Sequence, residues 1–221
     1  MKRRIIETAD GSKTIHLEDW NEQYHSKHGA IQEAYHVFIE HGLRHVALSN
    51  VSILEIGFGT GLNALITLLE AEKNGLKINY VGVEAYPVLM EEIEALDYCS
   101  QLQVDGHQGV FERMHHSSWE EQVSISKNFS LLKQQKDFMQ IDDSNLFHLI
   151  YFDAFGARVQ PELWTEAVFA KMFKALREKG VLVTYAAKGS VRRAMQAVGF
   201  TVERLPGPPG KREMLRATKT K

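Results

Sequence analysis

The sequence predicts an α/β domain: a mostly parallel sheet with helices on both faces and one antiparallel edge at its C-terminal end. Three observations predict it. From Val51 onward, apolar stretches of strand length alternate with segments of helical spacing; a glycine-rich turn follows the first of those strands; and two extended segments flank a Pro/Gly turn near the end. A short appendage, residues 1–48, precedes the main domain, residues 49–221.

In the appendage, Ile5 and Ile6 before the turn dipeptide Asp10-Gly11, with Ile15 after it, read as a hairpin. A helix follows over residues 30–41, with Ile31, Ala34, Tyr35, Phe38 and Ile39 on one face. The main domain opens with a buried strand at 51–56 and a helix carrying Leu62, Leu65, Ile66 and Leu69. A second strand spans 78–83, and Pro87 stands where a helix would start, its missing N–H being unneeded there. Residues 100–128 give no clear pattern. A short strand at 129–132 leads toward Asp137, and a strongly apolar one spans 146–152. A helix is expected over 161–179, stopped by Gly180, then a strand at 181–185 and a helix at 190–198 closed by Gly199. Segments 200–205 and 212–218 complete the terminal hairpin around Pro206-Gly207-Pro208-Pro209-Gly210.

Composition narrows the class. The chain has 221 residues, 44% apolar and 24% charged, ordinary for a globular domain with a full core. No apolar run approaches the roughly 20 residues needed to cross a bilayer, and the basic start lacks the apolar stretch of a signal peptide. Cytoplasmic localisation is the expectation. Cys99 is the one cysteine, so no internal disulfide forms, and the 10 histidines show no zinc-like pairing with it. No metal and no membrane partner are expected. The net charge of −2 does not announce a nucleic-acid binder, so such a partner needs a local basic face.

The chemistry concentrates at expected strand ends. Glu55-Ile56-Gly57-Phe58-Gly59-Thr60-Gly61 lies between a strand and a helix, where glycines let the backbone approach a ligand. It is not the dinucleotide fingerprint, because that pattern's third glycine falls on Leu62. It is not a phosphate-binding P-loop either, since no Gly-Lys-Ser/Thr follows. Glu84, ending the second strand, is placed to accept hydrogen bonds from a ribose diol, and Asp137 to receive an adenine amino group. Asp153, after the apolar strand, puts a carboxylate at the same edge, where it can orient an amine and take its proton. A plain strand–helix turn and solvated strand-end acids would give the same residues. Together they predict the class I fold of S-adenosylmethionine-dependent methyltransferases.

Several segments make the sequence similar to the MnmC/MnmD family of tRNA 5-(aminomethyl)uridine methyltransferases. They are Tyr24-His25-Ser26-Lys27-His28-Gly29-Ala30 continuing through Glu33 and His36-Val37-Phe38-Ile39; Leu54 to Asn63 around the glycines; Tyr151-Phe152-Asp153-Ala154-Phe155; Pro161-Glu162-Leu163-Trp164-Thr165; and Lys211-Arg212-Glu213-Met214-Leu215. They run in family order over most of the chain. The resemblance implies N-methylation of 5-aminomethyl(-2-thio)uridine at the tRNA wobble position. It implies S-adenosylmethionine as cofactor, Asp153 as catalytic carboxylate, and Glu55, Gly57, Gly59, Gly61, Glu84 and Asp137 at cofactor positions. Tyr24 and Ser26 close over the cofactor, and Phe155 and Trp164 shape the uridine pocket. Arg158, Lys188, Arg192, Arg193, Lys211 and Arg212 are candidate phosphate contacts. Gly156-Ala157 departs from the family's Ala-Pro, which alters loop stiffness. No second glycine fingerprint appears, so no FAD is expected. A small-molecule methyltransferase, an aminopropyltransferase-like enzyme and a non-catalytic S-adenosylmethionine-binding protein remain open.

Overall fold

The computed structural model describes residues 2–220, so the outermost bounds of both expected segments, 1 and 221, lie outside the described residues. The N-terminal segment forms a three-stranded antiparallel sheet of β1 (Arg3–Glu7), β2 (Lys13–Leu17) and β3 (Glu22–Gln23). Its hairpin register pairs Ile5 with Ile15, as the Asp10-Gly11 turn predicts. Next comes α1 (Ala30–Ala34), which widens into a π-helical stretch over Tyr35–Leu43 and ends in α2 (Arg44–Val46). The helix therefore runs past the expected end at His41. Gly42 lies against the sheet there, where a Cβ would stand 3.1 Å from Val183.

The main sheet has eight strands. In chain order they are β4 (Asn50–Ile56), β5 (Lys77–Val83), β6 (Gln122–Ser126), β7 (Phe129–Gln134), β8 (Phe147–Phe152), β9 (Leu176–Thr184), β10 (Phe200–Pro206) and β11 (Glu213–Lys219). They lie in the order β10-β11-β9-β8-β4-β5-β7-β6, with β4, β5, β7, β8 and β9 parallel. Strand order reverses at β4, so its carboxyl end opens the crevice where ligands of such sheets bind. Alternation across the pleat sorts the core into two layers. Ile53, Tyr151 and Val183 face the layer containing the N-terminal helix and α3 (Leu62–Asn74). Leu54, Ile56, Phe152 and Leu182 face the opposite layer, which holds α7 (Glu166–Ala175) and α8 (Gly189–Ala197).

Four expectations change. The sheet has two antiparallel edges, because β6 pairs with β7 at the end opposite the β10–β11 hairpin. The patternless region holds α5 (Tyr98–Gln101), α6 (Gln108–His116) and β6; α6 buries only Phe111 and Met114, leaving little period to read. Pro87 does not start a helix: α4 (Met90–Leu96) begins three residues later, where Glu92 accepts the Leu89 N–H at 3.0 Å. The helix expected to reach Lys179 stops at Ala175. Leu176 turns extended to pair with Phe147, and pairing resumes at Val181 opposite Leu149. Lys179 at φ 62 and Gly180 accommodate the excursion between those contacts.

Candidate active site

At the carboxyl ends of β4, β5, β7, β8 and β9 lies a cleft of about 1320 Å³, roofed by the N-terminal segment. The glycine loop forms one wall. Gly57 has φ 89, and a Cβ on it would stand 2.7 Å from the Asp153 carbonyl oxygen, so only glycine lets β4 and β8 open side by side. Gly59, at φ 50, lies beneath the Tyr24 ring; a Cβ there would meet it at 3.2 Å. The Gly59 N–H donates to Glu84 Oε2 at 3.0 Å and the Tyr86 N–H to Oε1 at 2.9 Å. Burial pushes the Glu84 carboxyl up, against those backbone donors. Its remaining lone pairs sit at the rim of the cleft.

Asp153, at the end of the neighbouring strand β8, stands beside the glycine loop. Its Oδ2 accepts from Asn63 Nδ2 at 2.8 Å, and the same amide group donates to Glu55 Oε1 at 2.8 Å. Burial, reinforced by the Glu33 charge, raises the Asp153 carboxyl to about 7; the Asn63 bond and Lys211 oppose the rise. A carboxylate poised near neutrality beside a ligand cleft is suited to general-base work. Phe155, one turn further, meets the rings of Trp20 and Tyr24 edge-on at 5.7 and 5.0 Å. The Trp164 indole N–H donates to the Phe155 carbonyl at 2.8 Å and fixes that turn from behind.

A family model described as S-adenosyl-L-methionine-dependent methyltransferase matches residues 112–220. The bifunctional tRNA 5-methylaminomethyl-2-thiouridine biosynthesis protein MnmC of Leptospira interrogans is 28% identical over 213 residues, covering 90% of this chain and 32% of that protein. The crystal structure of MnmC2 from Aquifex aeolicus superposes with a TM-score of 0.75 at 26% identity, over 98% of this chain and 70% of that one. Over these segments the chain is similar to S-adenosylmethionine-dependent methyltransferases. It spans about a third of the length of the curated relatives it matches. Spermidine synthase from Thermotoga maritima, at 15% identity and a TM-score of 0.60, shares the fold alone.

The cleft has the features a site for S-adenosylmethionine needs. Gly57 and Gly59 line it with bare backbone, and the Glu84 carboxylate lines it beside them. Tyr24, Ser26, Asp137, Asp153 and Phe155 also line the cleft. Asp137 is exposed, and its Oδ1 accepts the Met139 N–H at 2.7 Å, capping a short 3₁₀ turn.

Other expected site residues stand elsewhere. Glu55 is fully buried beneath the loop and accepts from Tyr80 at 2.9 Å as well as from Asn63, so it braces the site from below. Burial pushes its carboxyl well above the usual range. Gly61 is the N-cap of α3, backed by His115. Trp164 is 5% exposed and packs on Phe152, behind the pocket rather than in it. Arg158 is tied to the N-terminal segment, donating to Glu22 and to the Trp20 and Asn21 carbonyls. Lys211 points into the cleft and pairs with Glu33. Lys188, Arg193 and Arg212 are exposed and Arg192 is half-buried; Lys188, Arg192 and Arg193 cluster at the start of α8. Asn63, Glu33 and Tyr185 carry no site signal in the sequence. Asn63 and Glu33 fall within segments of the family resemblance, yet a helical Asn or Glu says nothing of what it faces.

Among the described residues no group of His, Cys, Asp and Glu is arranged to hold a metal ion, and no helix is long and apolar enough to cross a membrane.

Proposed function

We propose that this protein N-methylates the exocyclic amine of 5-aminomethyl(-2-thio)uridine at the tRNA wobble position, giving the 5-methylaminomethyl form. One observation carries the reading: the Asp153 carboxylate, held by Asn63, lines an aromatic-walled cleft directly against the glycine loop. The names of the MnmC relatives supply the substrate class. A tRNA substrate also places the work in the cytoplasm.

S-adenosylmethionine, when bound, supplies an electrophilic methyl group. Gly57, Gly59 and Glu84 would hold it, with Tyr24 and Ser26 covering and Asp137 at the rim. An alkylamine is mostly protonated in water and must lose a proton to become a nucleophile. Asp153 accepts that proton and aims the nitrogen lone pair, with Asn63 fixing its carboxylate. General-base help of this kind contributes typically about 10²–10⁴-fold, and orientation adds to it. The Phe155 backbone is held by Trp164 through its carbonyl, and its ring, packed edge-to-face with Trp20 and Tyr24, supplies an aromatic wall for a base. Lys188, Arg192, Arg193 and Arg212 are the phosphate contacts this reading uses.

Mass spectrometry of wobble nucleosides from a strain lacking the gene tests the proposal. Accumulated 5-aminomethyl nucleoside, converted in vitro by the purified protein with S-adenosylmethionine, is the expected result. An unchanged nucleoside profile would point to a small-molecule methyltransferase or an aminopropyl transfer. Cofactor binding without any methylated product would leave a binding protein.

A further inference from the structure

Where the N-terminal roof crosses the glycine loop, two neighbouring residues of one meet two neighbouring residues of the other. The Tyr24 ring covers Gly59, and the His25 imidazole reaches Thr60. His25 Nε2 stands 3.4 Å from Thr60 Oγ1, and its Nδ1 stands 3.0 Å from Oγ1 of Thr14 on β2. The His25 backbone N–H donates to the same Thr14 oxygen at 3.1 Å. From the other side, the hydroxyl of Tyr98, the first residue of α5, donates to Thr60 Oγ1 at 3.1 Å. Thr14, Thr60 and Tyr98 are all buried. One chain of polar groups therefore runs from β2 through the roof and the glycine loop to α5. Among the described residues, the His25–Thr60 contact is the hydrogen bond that joins roof and loop; Tyr24 meets Gly59 by ring contact alone.

His25 borders the cleft, yet both of its ring nitrogens are engaged within the protein. Desolvation takes the imidazole down to about 4, so at pH 7 it is neutral, with one donor and one acceptor nitrogen. The hydroxyls on either side can turn to match either tautomer, so the chain closes without a charge. A neutral imidazole bonded at both nitrogens is a brace, not a base. We propose that His25 is a positioning residue that latches the roof to the glycine loop through Thr60 and so sets the gap in which the methyl donor is held. The other ties of the roof lead elsewhere. Arg158 holds the Trp20 and Asn21 carbonyls and Glu22, and Glu33 accepts the Ser26 N–H, but none of these touches the glycine loop. The effect on the donor rests on the S-adenosylmethionine reading; the latch itself does not.

The test pairs S-adenosylhomocysteine affinity, read by calorimetry, with amide hydrogen exchange of the free full chain. Thr60→Val keeps the side-chain shape and removes the hydroxyl, so it should weaken affinity about fivefold, the worth of one net hydrogen bond. The loss should appear as a raised KM for S-adenosylmethionine with kcat little changed, and Thr60→Ser should restore wild-type behaviour. In the free protein, Thr60→Val should speed exchange at the Tyr24, His25 and Ser26 amides by about fivefold. Tyr98→Phe spares the His25 contact and should move neither readout by more than about twofold. His25→Phe should match Thr60→Val, and the double variant should stay near fivefold, because the same link is already broken. A double variant weakened about 25-fold marks two independent effects and overturns the latch. So does a Thr60→Val protein with wild-type affinity and exchange, or a Tyr98→Phe loss as large as that of Thr60→Val. If His25→Phe fails to fold, Thr60→Val against Thr60→Ser decides: a loss that serine restores supports the latch, and equal affinities refute it. Faster roof exchange in a protein that binds no S-adenosylhomocysteine upholds the latch and retires the donor reading; binding with exchange and affinity unmoved does the reverse.

Discussion

The two walls of the cleft are built differently. The glycine wall is local: the β4 end, the glycine loop and the β5 end lie within 30 residues, and their contacts are mainly backbone geometry and Gly59 N–H bonded to Glu84. The wall around Asp153 is assembled from a distance. Asp153 follows β8, its orienting Asn63 comes from α3, Glu33 from α1, Tyr185 from beyond β9 and Lys211 from the turn before β11. A wall made of backbone tolerates little change at its glycines, whereas a wall made of side chains can be retuned one charge at a time. A shared fold with a replaceable acceptor side is how one scaffold serves many methyl acceptors.

The sharpest way to separate the walls is Asp153→Ala. Methyl transfer should fall by about 10²–10⁴-fold while S-adenosylhomocysteine affinity by calorimetry stays within a few-fold. A matching loss of affinity would merge the two walls into one functional unit. The converse is Gly57→Ala. With φ at 89 and the Asp153 carbonyl 2.7 Å from the new Cβ, it should weaken cofactor binding by at least about tenfold and destabilise the fold by about 1–3 kcal/mol. Denaturant unfolding alongside calorimetry would show whether both losses occur.

Trp164→Phe removes the indole donor to the Phe155 carbonyl but keeps most of the packing. It should cost about 1–2 kcal/mol of stability and lower kcat/KM several-fold, with cofactor affinity untouched. The smallest expected effect is a pH signature. The Asp153 carboxyl is raised in the fold from 3.8 to about 7, so its favourable contribution is complete below about pH 4 and is lost as pH rises through about 7. Asp153→Asn should therefore melt a few degrees above wild type at pH 8, with the gap closing by pH 4. An equal gap at both pH values would remove the buried-carboxylate account.

The sequence made the glycine wall legible because its determinants are contiguous. A strand pattern, three spaced glycines and a strand-end acid are positions that local φ/ψ and burial constrain directly, and Asp153 was readable for the same reason. The N-terminal hairpin followed from Asp10-Gly11, and the terminal hairpin from the run Pro206 to Gly210. Illegible were features set by what a residue meets in space. The expected helix through Lys179 yielded at Leu176 because pairing with Phe147 outweighed helical spacing. Glu55 and Trp164 carry the right residue types but lie behind the cleft, since the pleat and α7 packing turn them inward.

Lys211 shows the division most clearly. Its position in the Lys-Arg-Glu-Met segment marks it as a notable residue, and its charge alone reads as a phosphate contact. Only the tertiary structure places its ammonium against Glu33 and Tyr185, inside the cleft that Asp153 also lines. Local chain physics fixed the strands, the glycine turn and the carboxylate at the sheet edge. Burial and long-range proximity decided which charges that carboxylate feels, because electrostatic coupling depends on distance and desolvation rather than on sequence order.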